Sequence, residues 1–144
     1  MAQTKVPETV QRHINKCFEG IGQLEMSKGI VSGMVSMEKE KVAFSKKVDV
    51  NEGDKKGNVE KWLLEIEGIM IETLKKITKT AMEDESTRTD WVKMWPAQTV
   101  LGVNMIRWTI KAENAISNNS VKSYVAELVS ELKDIVALVR TDLS

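Results

Sequence analysis

The last quarter of this chain constrains its fold most. Val121, Val125, Leu128, Leu132, Ile135 and Val139 fall at intervals of 4, 3, 4, 3 and 4. An α-helix of 3.6 residues per turn puts all six on one face, whereas a strand would scatter them over both sides. The spacing predicts a helix over 119–144, roughly 40 Å long at about 1.5 Å per residue. Its apolar side needs cover. With other amphipathic helices in the chain, the seam is expected to serve as intramolecular core rather than as a dimer interface.

Working backwards, SNNS at 117–120 reads as a helix stop followed by a new cap. The stretch DWVKMWPAQTVLGVNMIRWT, from Asp90 to Thr109, carries Trp91, Trp95 and Trp108, three of the four tryptophans. Pro96 sits inside it. Proline lacks an N–H and its ring clashes with the carbonyl four residues back, so a helix over 87–116 must kink there or restart. Apolar residues from Trp95 to Ile116 fall on nearly every face, a pattern of helices enclosed by neighbours. The cluster admits two ordinary readings, a packed core or a binding groove.

A further helix is predicted over 58–81, with Asn58 as cap. Trp62, Ile66, Ile69, Met70, Leu74 and Ile77 mark one face, and Glu60, Lys61, Glu67, Lys75 and Lys79 the other. A first helix is predicted over 7–26, starting on Pro7 and carrying Val10, Ile14, Cys17, Phe18, Ile21 and Leu24 as its stripe. Gly20 and Gly22 weaken that helix. Only 30–46 changes period: β-branched residues and partial alternation predict a hairpin with strands near 30–37 and 41–46, turning at SMEKEK. NEGDKKGN, 51–58, is a polar loop. The fold class is therefore mainly α, a helical bundle with one β-hairpin, and 144 residues suit a single domain.

Few chemistries fit these residues. Twenty-one basic residues balance twenty-one acidic ones, so the basic excess that nucleic-acid binding draws on is missing. No apolar run approaches the roughly 20 residues of a membrane span, and the N-terminus has no signal-peptide core. With the single Cys17, this predicts a soluble chain of a reducing, intracellular compartment. His13 and Cys17 are four apart but have no further His or Cys to complete a metal site, so Cys17 is expected in the core beside a surface histidine. No phosphate-binding glycine loop occurs, and no nucleophile–base pair is evident beside the lone imidazole. Glu83, Asp84 and Glu85 read as a solvated loop, and Lys75, Lys76 and Lys79 as a solvated face. Catalytic, cofactor and metal residues are thus expected to be none. A free-standing helical interaction module using the 121–139 seam fits these observations as well.

Several motifs, in order, resemble a known family. INKCFEGI, SMEKEKVAF, VEKWLLEIEGIMIETLKK, RTDWVKMWPAQTVLGVNMIRWT and DIVALVRTDLS together resemble the dynein heavy chain. The likeness is to the C-terminal part of the linker, just before the AAA+ ring. The family pattern matches at Val59–Leu63, Arg88–Val92, Trp95–Gln98, Trp108-Thr109 and Leu138–Arg140. Lys39 and Ala97 stand where the family has glycine, so the hairpin turn departs from the pattern. The Trp95-Pro96 pair is similar to axonemal rather than cytoplasmic dyneins, implying a cilium or flagellum axoneme.

The resemblance implies a segment of a mechanical rod that couples ATP-driven changes in the ring to the power stroke. Its partners would be the AAA+ ring of the same heavy chain and the rest of the linker and tail, with microtubules reached only through the parent's stalk. ATP and Mg would belong to the parent ring, with no cofactor in this segment. The end at VRTDLS, helix-like and without a cap, predicts a chain that continues. The tryptophans would be packing residues. Trp62, Trp91, Trp95, Pro96 and Trp108 are then structural, with Trp95 and Trp108 foremost, Trp95 meeting the Trp62 helix or the helix before the kink and Trp108 meeting Leu128 or Leu132.

Overall fold

The computed structural model describes residues 7–142; Leu143 and Ser144, the end of the predicted last helix, lie outside them. The chain begins with α1 (Pro7–Val10), a 3-10 turn (Gln11–His13) and α2 (Ile14–Cys17). Three strands follow: β1 (Ile21–Ser27), β2 (Ile30–Ser36) and β3 (Lys41–Asp49). A 3-10 turn (Gly53–Lys55) leads into α3 (Val59–Glu83), then α4 (Arg88–Met94), α5 (Ala97–Ser117) and α6 (Val121–Asp142). The single domain expected from chain length is here two compact units, which divide within α3 between Lys76 and Ile77.

The first unit differs from expectation at its start. The helix predicted over 7–26 stops at Cys17, and residues 21–27 form a strand, so the hairpin becomes an antiparallel sheet in the order β1-β2-β3. Lys28 and Gly29, with φ of 51° and 80°, link Ser27 to Ile30 in a two-residue turn. Paired positive φ values follow the right-handed strand twist, and glycine adopts them without strain. A Cβ on Gly29 would also lie 2.2 Å from Asn51 Nδ2. The second turn places Lys39 at φ 70°, the left-handed geometry that glycine serves best. Lys39 N–H donates to Ser36 O (3.1 Å), and Glu40 N–H to Ser36 Oγ (3.1 Å).

The outer edge of β1 is closed by a side chain. Gln11 Oε1 accepts the Leu24 N–H at 2.9 Å, and its Nε2 donates to the Leu24 carbonyl. One amide thus replaces a strand residue and removes two exposed peptide groups from a sheet edge. The core of this unit joins Ile14, Leu24, Val31, Met34, Phe44, Val48 and Val50 to Trp62, Ile66, Ile69 and Met70 on α3. Trp62 is 2% exposed. Asn58 caps α3 as expected, its Oδ1 accepting the Lys61 N–H at 3.2 Å. Thr73, also buried, accepts the Ser45 N–H at 3.0 Å and donates to Ser45 Oγ at 3.3 Å. Beyond it the predicted face runs out: Leu74 is exposed and Ile77 half-buried.

The regular elements of the second unit are all helices among the described residues. Pro96 separates α4 from α5, so the helix restarts rather than bends. SNNS forms the predicted stop: Asn119 has φ 51°, with Ser120 N–H bonded to Ala115 O (2.8 Å) and Asn119 N–H to Ile116 O (3.3 Å). This paired 6→1 and 5→2 bonding satisfies the last carbonyls of α5. The chain then reverses into α6, and Lys111 on α5 reaches Glu127 (2.6 Å) and Glu131 (3.6 Å) on α6.

Candidate functional site

The feature that organises the second unit is the closure of α3 at its C-terminal end. The last carbonyls of any helix lack intrahelical donors and form the negative end of its dipole. Here Arg107, from the middle of α5, supplies them. Its Nη2 lies 3.0 Å from Ala81 O, 3.1 Å from Met82 O and 3.0 Å from Asp84 O. The Trp91 indole N–H donates to the same Ala81 carbonyl at 2.8 Å.

Trp91 is fully enclosed and packs with Ala81, Val100 and Val103, while Val92 and Trp95 flank the group. The Arg107 guanidinium stands 4.7 Å from the Trp91 ring centroid and the Arg88 guanidinium 5.4 Å, both within cation–π range. Arg88 also donates to Asn104 Oδ1 on α5. Three helices therefore meet on one indole. Trp95 completes the closure from outside, its Nε1–H donating to Asp84 Oδ2 at 2.8 Å. Asp84 also accepts from the Ser86 hydroxyl (2.6 Å) and the Ser86 N–H (2.9 Å). Bonds from Ser86 first, then from Trp95, with Arg107 nearby, hold the Asp84 carboxyl below its ordinary range.

The expected ranking of the tryptophans changes accordingly. Trp62 and Trp91 are buried, Trp95 is half-buried, and Trp108 is 52% exposed. Trp95 packs against the cluster of Ala81 (α3), Trp91 (α4), Val100 and Val103 (α5), and bonds Asp84 just beyond α3. Trp108 and Leu128 line the same cleft, whereas Leu132 is 63% exposed and outside its lining. The seam on α6 is not core among the described residues: Val121, Val125, Leu132 and Val139 are exposed, and Leu128 and Ile135 are half-buried. Among the described residues α6 packs mainly against α4 and α5, and Val129 and Val136 are exposed as well. Leu101, Met105, Ile106 and Ile110 of α5 are exposed in the same way, so α5 is not enclosed.

The remaining site residues fall as follows. Cys17 is exposed, not in the core, because α2 ends on it. His13 is exposed and accepts from Arg12 Nε at 3.1 Å. Among the described residues no cluster of three or more His, Cys, Asp or Glu could hold a metal ion, and no helix is long and apolar enough to cross a membrane. Lys75, Lys76 and Lys79 are exposed, with Lys76 paired to Glu72 at 2.8 Å. Asp84 is half-buried in the closure, unlike the solvated loop expected of it. Arg107 escaped the sequence reading altogether. Its signal is that it is the one charged residue between Thr99 and Ile110.

Residues 1–81, more than half of the chain, match the family model described as dynein heavy chain, N-terminal region 2. The chain belongs to this family. Dynein axonemal heavy chain 12 of Rattus norvegicus is 38% identical over 149 residues, covering 100% of this chain and 5% of that protein. Dynein axonemal heavy chain 3 of Homo sapiens is 36% identical over 147 residues, covering 100% and 4%. Dynein axonemal heavy chain 1 of Rattus norvegicus is 36% identical over 148 residues, covering 100% and 3%. The chain thus spans about a twentieth or less of the curated heavy chains it matches.

Proposed function

We propose that this chain is the C-terminal part of the linker of an axonemal dynein heavy chain, carrying displacement between the AAA+ ring and the rest of the linker and tail. In this reading it works in a cilium or flagellum, as one segment of a far longer motor that reaches microtubules elsewhere. ATP and Mg act in the parent ring, and this segment transmits without catalysing. The ordered dynein motifs along the chain support that placement.

The observation that carries the mechanism is the locked end of α3. A lever loses displacement wherever a helix end frays or a joint flexes. Here three carbonyls at and just beyond the last turn of α3 are held by one guanidinium, and an enclosed indole ties α3, α4 and α5 together. Burying a large aromatic contributes about 2–3 kcal/mol or more, enough to make such a joint stiff against thermal motion. The bare apolar faces of α5 and α6 suit a segment that other parts of the heavy chain cover.

The test is to place Arg107→Gln in the heavy chain that carries this segment, then measure ATP turnover and microtubule gliding together. Transmission through the closure predicts near-parent ATP turnover with gliding velocity reduced several-fold. Unchanged velocity per ATP hydrolysed would remove this segment from the force path. The same face could instead pair a free-standing interaction module with a partner helix. A reversible, concentration-dependent dimer of the isolated chain, lost in Leu132→Glu, would favour that second reading.

A further inference from the structure

A cleft of about 450 Å³ opens beside the closure, where Arg88 (α4), Asn104, Trp108 and Lys111 (α5) and Tyr124 and Leu128 (α6) converge. Its charged lining is Arg88, Arg107 and Lys111 against one carboxylate, Glu131, so the cleft is net positive. Two of the cations are committed: Arg107 to the α3 carbonyls, and Lys111 to Glu127 and Glu131. Arg88 is only partly used. Its Nη1 donates to Asn104, but its Nε is buried with no partner among the described residues, and so is the Tyr124 hydroxyl. Folded proteins rarely leave such donors unmet, and both of these residues line the one positive cleft. Met105 and Trp108, 66% and 52% exposed, line the same cleft.

We propose that this cleft docks an aspartate or glutamate side chain carried on a polypeptide segment. As the exposed Met105 and Trp108 side chains move aside on docking, Arg88 Nε–H and the Tyr124 O–H donate to the carboxylate. Trp108 and Met105 pack against the apolar residue beside it. Charge complementarity selects a carboxylate over its amide, and the exposed indole selects a peptide over a free anion. The assignment holds whether or not the segment transmits force.

The test uses the 144-residue chain in solution with three probes: acetyl-Phe-Asp-Phe-amide, its Asn counterpart, and sodium acetate. The readouts are the Arg88 Nε–H and Trp108 indole N–H resonances in two-dimensional ¹H–¹⁵N spectra. The Asp peptide should shift both saturably and bind about tenfold or more tightly than the Asn peptide and than acetate, the factor expected for a charge-assisted hydrogen bond. Tyr124→Phe keeps the ring and removes one donor. It should weaken the Asp peptide by roughly tenfold and the Asn peptide by less, because a bond to a charged acceptor is the stronger. Equal binding of the Asp and Asn peptides overturns the proposal. So does acetate binding as tightly as the Asp peptide, which would make the cleft a small-anion site. The absence of a saturable shift with the Asp peptide into the millimolar range overturns it too, as does Asp-peptide affinity unchanged in a folded Tyr124→Phe chain.

Discussion

Replacing Trp91 by alanine should damage this chain far more than replacing Trp108, although the two tryptophans lie in one motif. Trp91 is 0% exposed and Trp108 52% exposed. Truncating an enclosed tryptophan costs about 3–5 kcal/mol through lost burial and the cavity left behind. Trp91→Ala also deletes the 2.8 Å bond to Ala81 O, about 1 kcal/mol net. It removes the ring beneath Arg107 as well, about 0.5–1 kcal/mol more. The total is roughly 4.5–7 kcal/mol, comparable with the whole stability of a marginal domain at about 5–15 kcal/mol. Trp108 has half of that transfer term and leaves no closed cavity, so Trp108→Ala should cost about 1–1.5 kcal/mol. Urea titrations followed by far-ultraviolet circular dichroism give both midpoints, and an unchanged slope certifies that only stability moved. Trp91→Ala within about 1 kcal/mol of the parent would refute the reasoning, and so would a Trp108→Ala as costly as Trp91→Ala.

Two more predictions use the same titration. Lys39→Gly should raise stability by about 0.5–1 kcal/mol, because Lys39 holds a left-handed φ of 70° that glycine adopts without strain; a loss of stability would show that the lysine side chain supports the turn. Asp84 has its folded carboxyl held below the ordinary value of 3.8, so its contribution is fully present above pH 3.8 and is lost as pH falls through the lowered value. Asp84→Asn should therefore flatten the acid limb of the stability–pH curve below about pH 4, where an unchanged limb would count against the Ser86 and Trp95 bonds.

Much of this fold was legible from local signals. The long helices α3 and α6 follow from apolar spacing sustained over about four turns or more, and Asn58, Pro96 and SNNS mark helix ends by backbone chemistry. The strand β1 was harder to read. Its register shifts between Ile21 and Gln23 and again between Glu25 and Met26, and each bulge breaks the two-residue alternation that identifies a strand. Ile21 and Leu24 then continue the spacing of Val10, Ile14 and Cys17, and helix and strand look alike. The Lys28-Gly29 turn was the available correction. The burial of the apolar helix faces was illegible for another reason: spacing shows which face needs cover, not whether this stretch of chain supplies it. Val121, Val125 and Leu132 need cover and are left 46%, 50% and 63% exposed. The Arg107 closure joins residues more than twenty apart, and no local pattern encodes it beyond a lone charge in an apolar helix.

The central claim, that α3 is locked where most helices fray, is tested most directly by native-state hydrogen exchange at the amides of Lys79 to Glu83. Frayed ends open at close to zero free energy, while locked segments exchange near the global limit. The account predicts protection at these amides comparable to that of Ile66 to Met70, in the buried middle of α3, in the parent chain. Arg107→Gln should speed their exchange about 10- to 100-fold, the equivalent of roughly 1.5–3 kcal/mol of hydrogen bonding to a charged donor. Amides that already exchange in the parent like a free helix end, or that do not respond to Arg107→Gln, would contradict it.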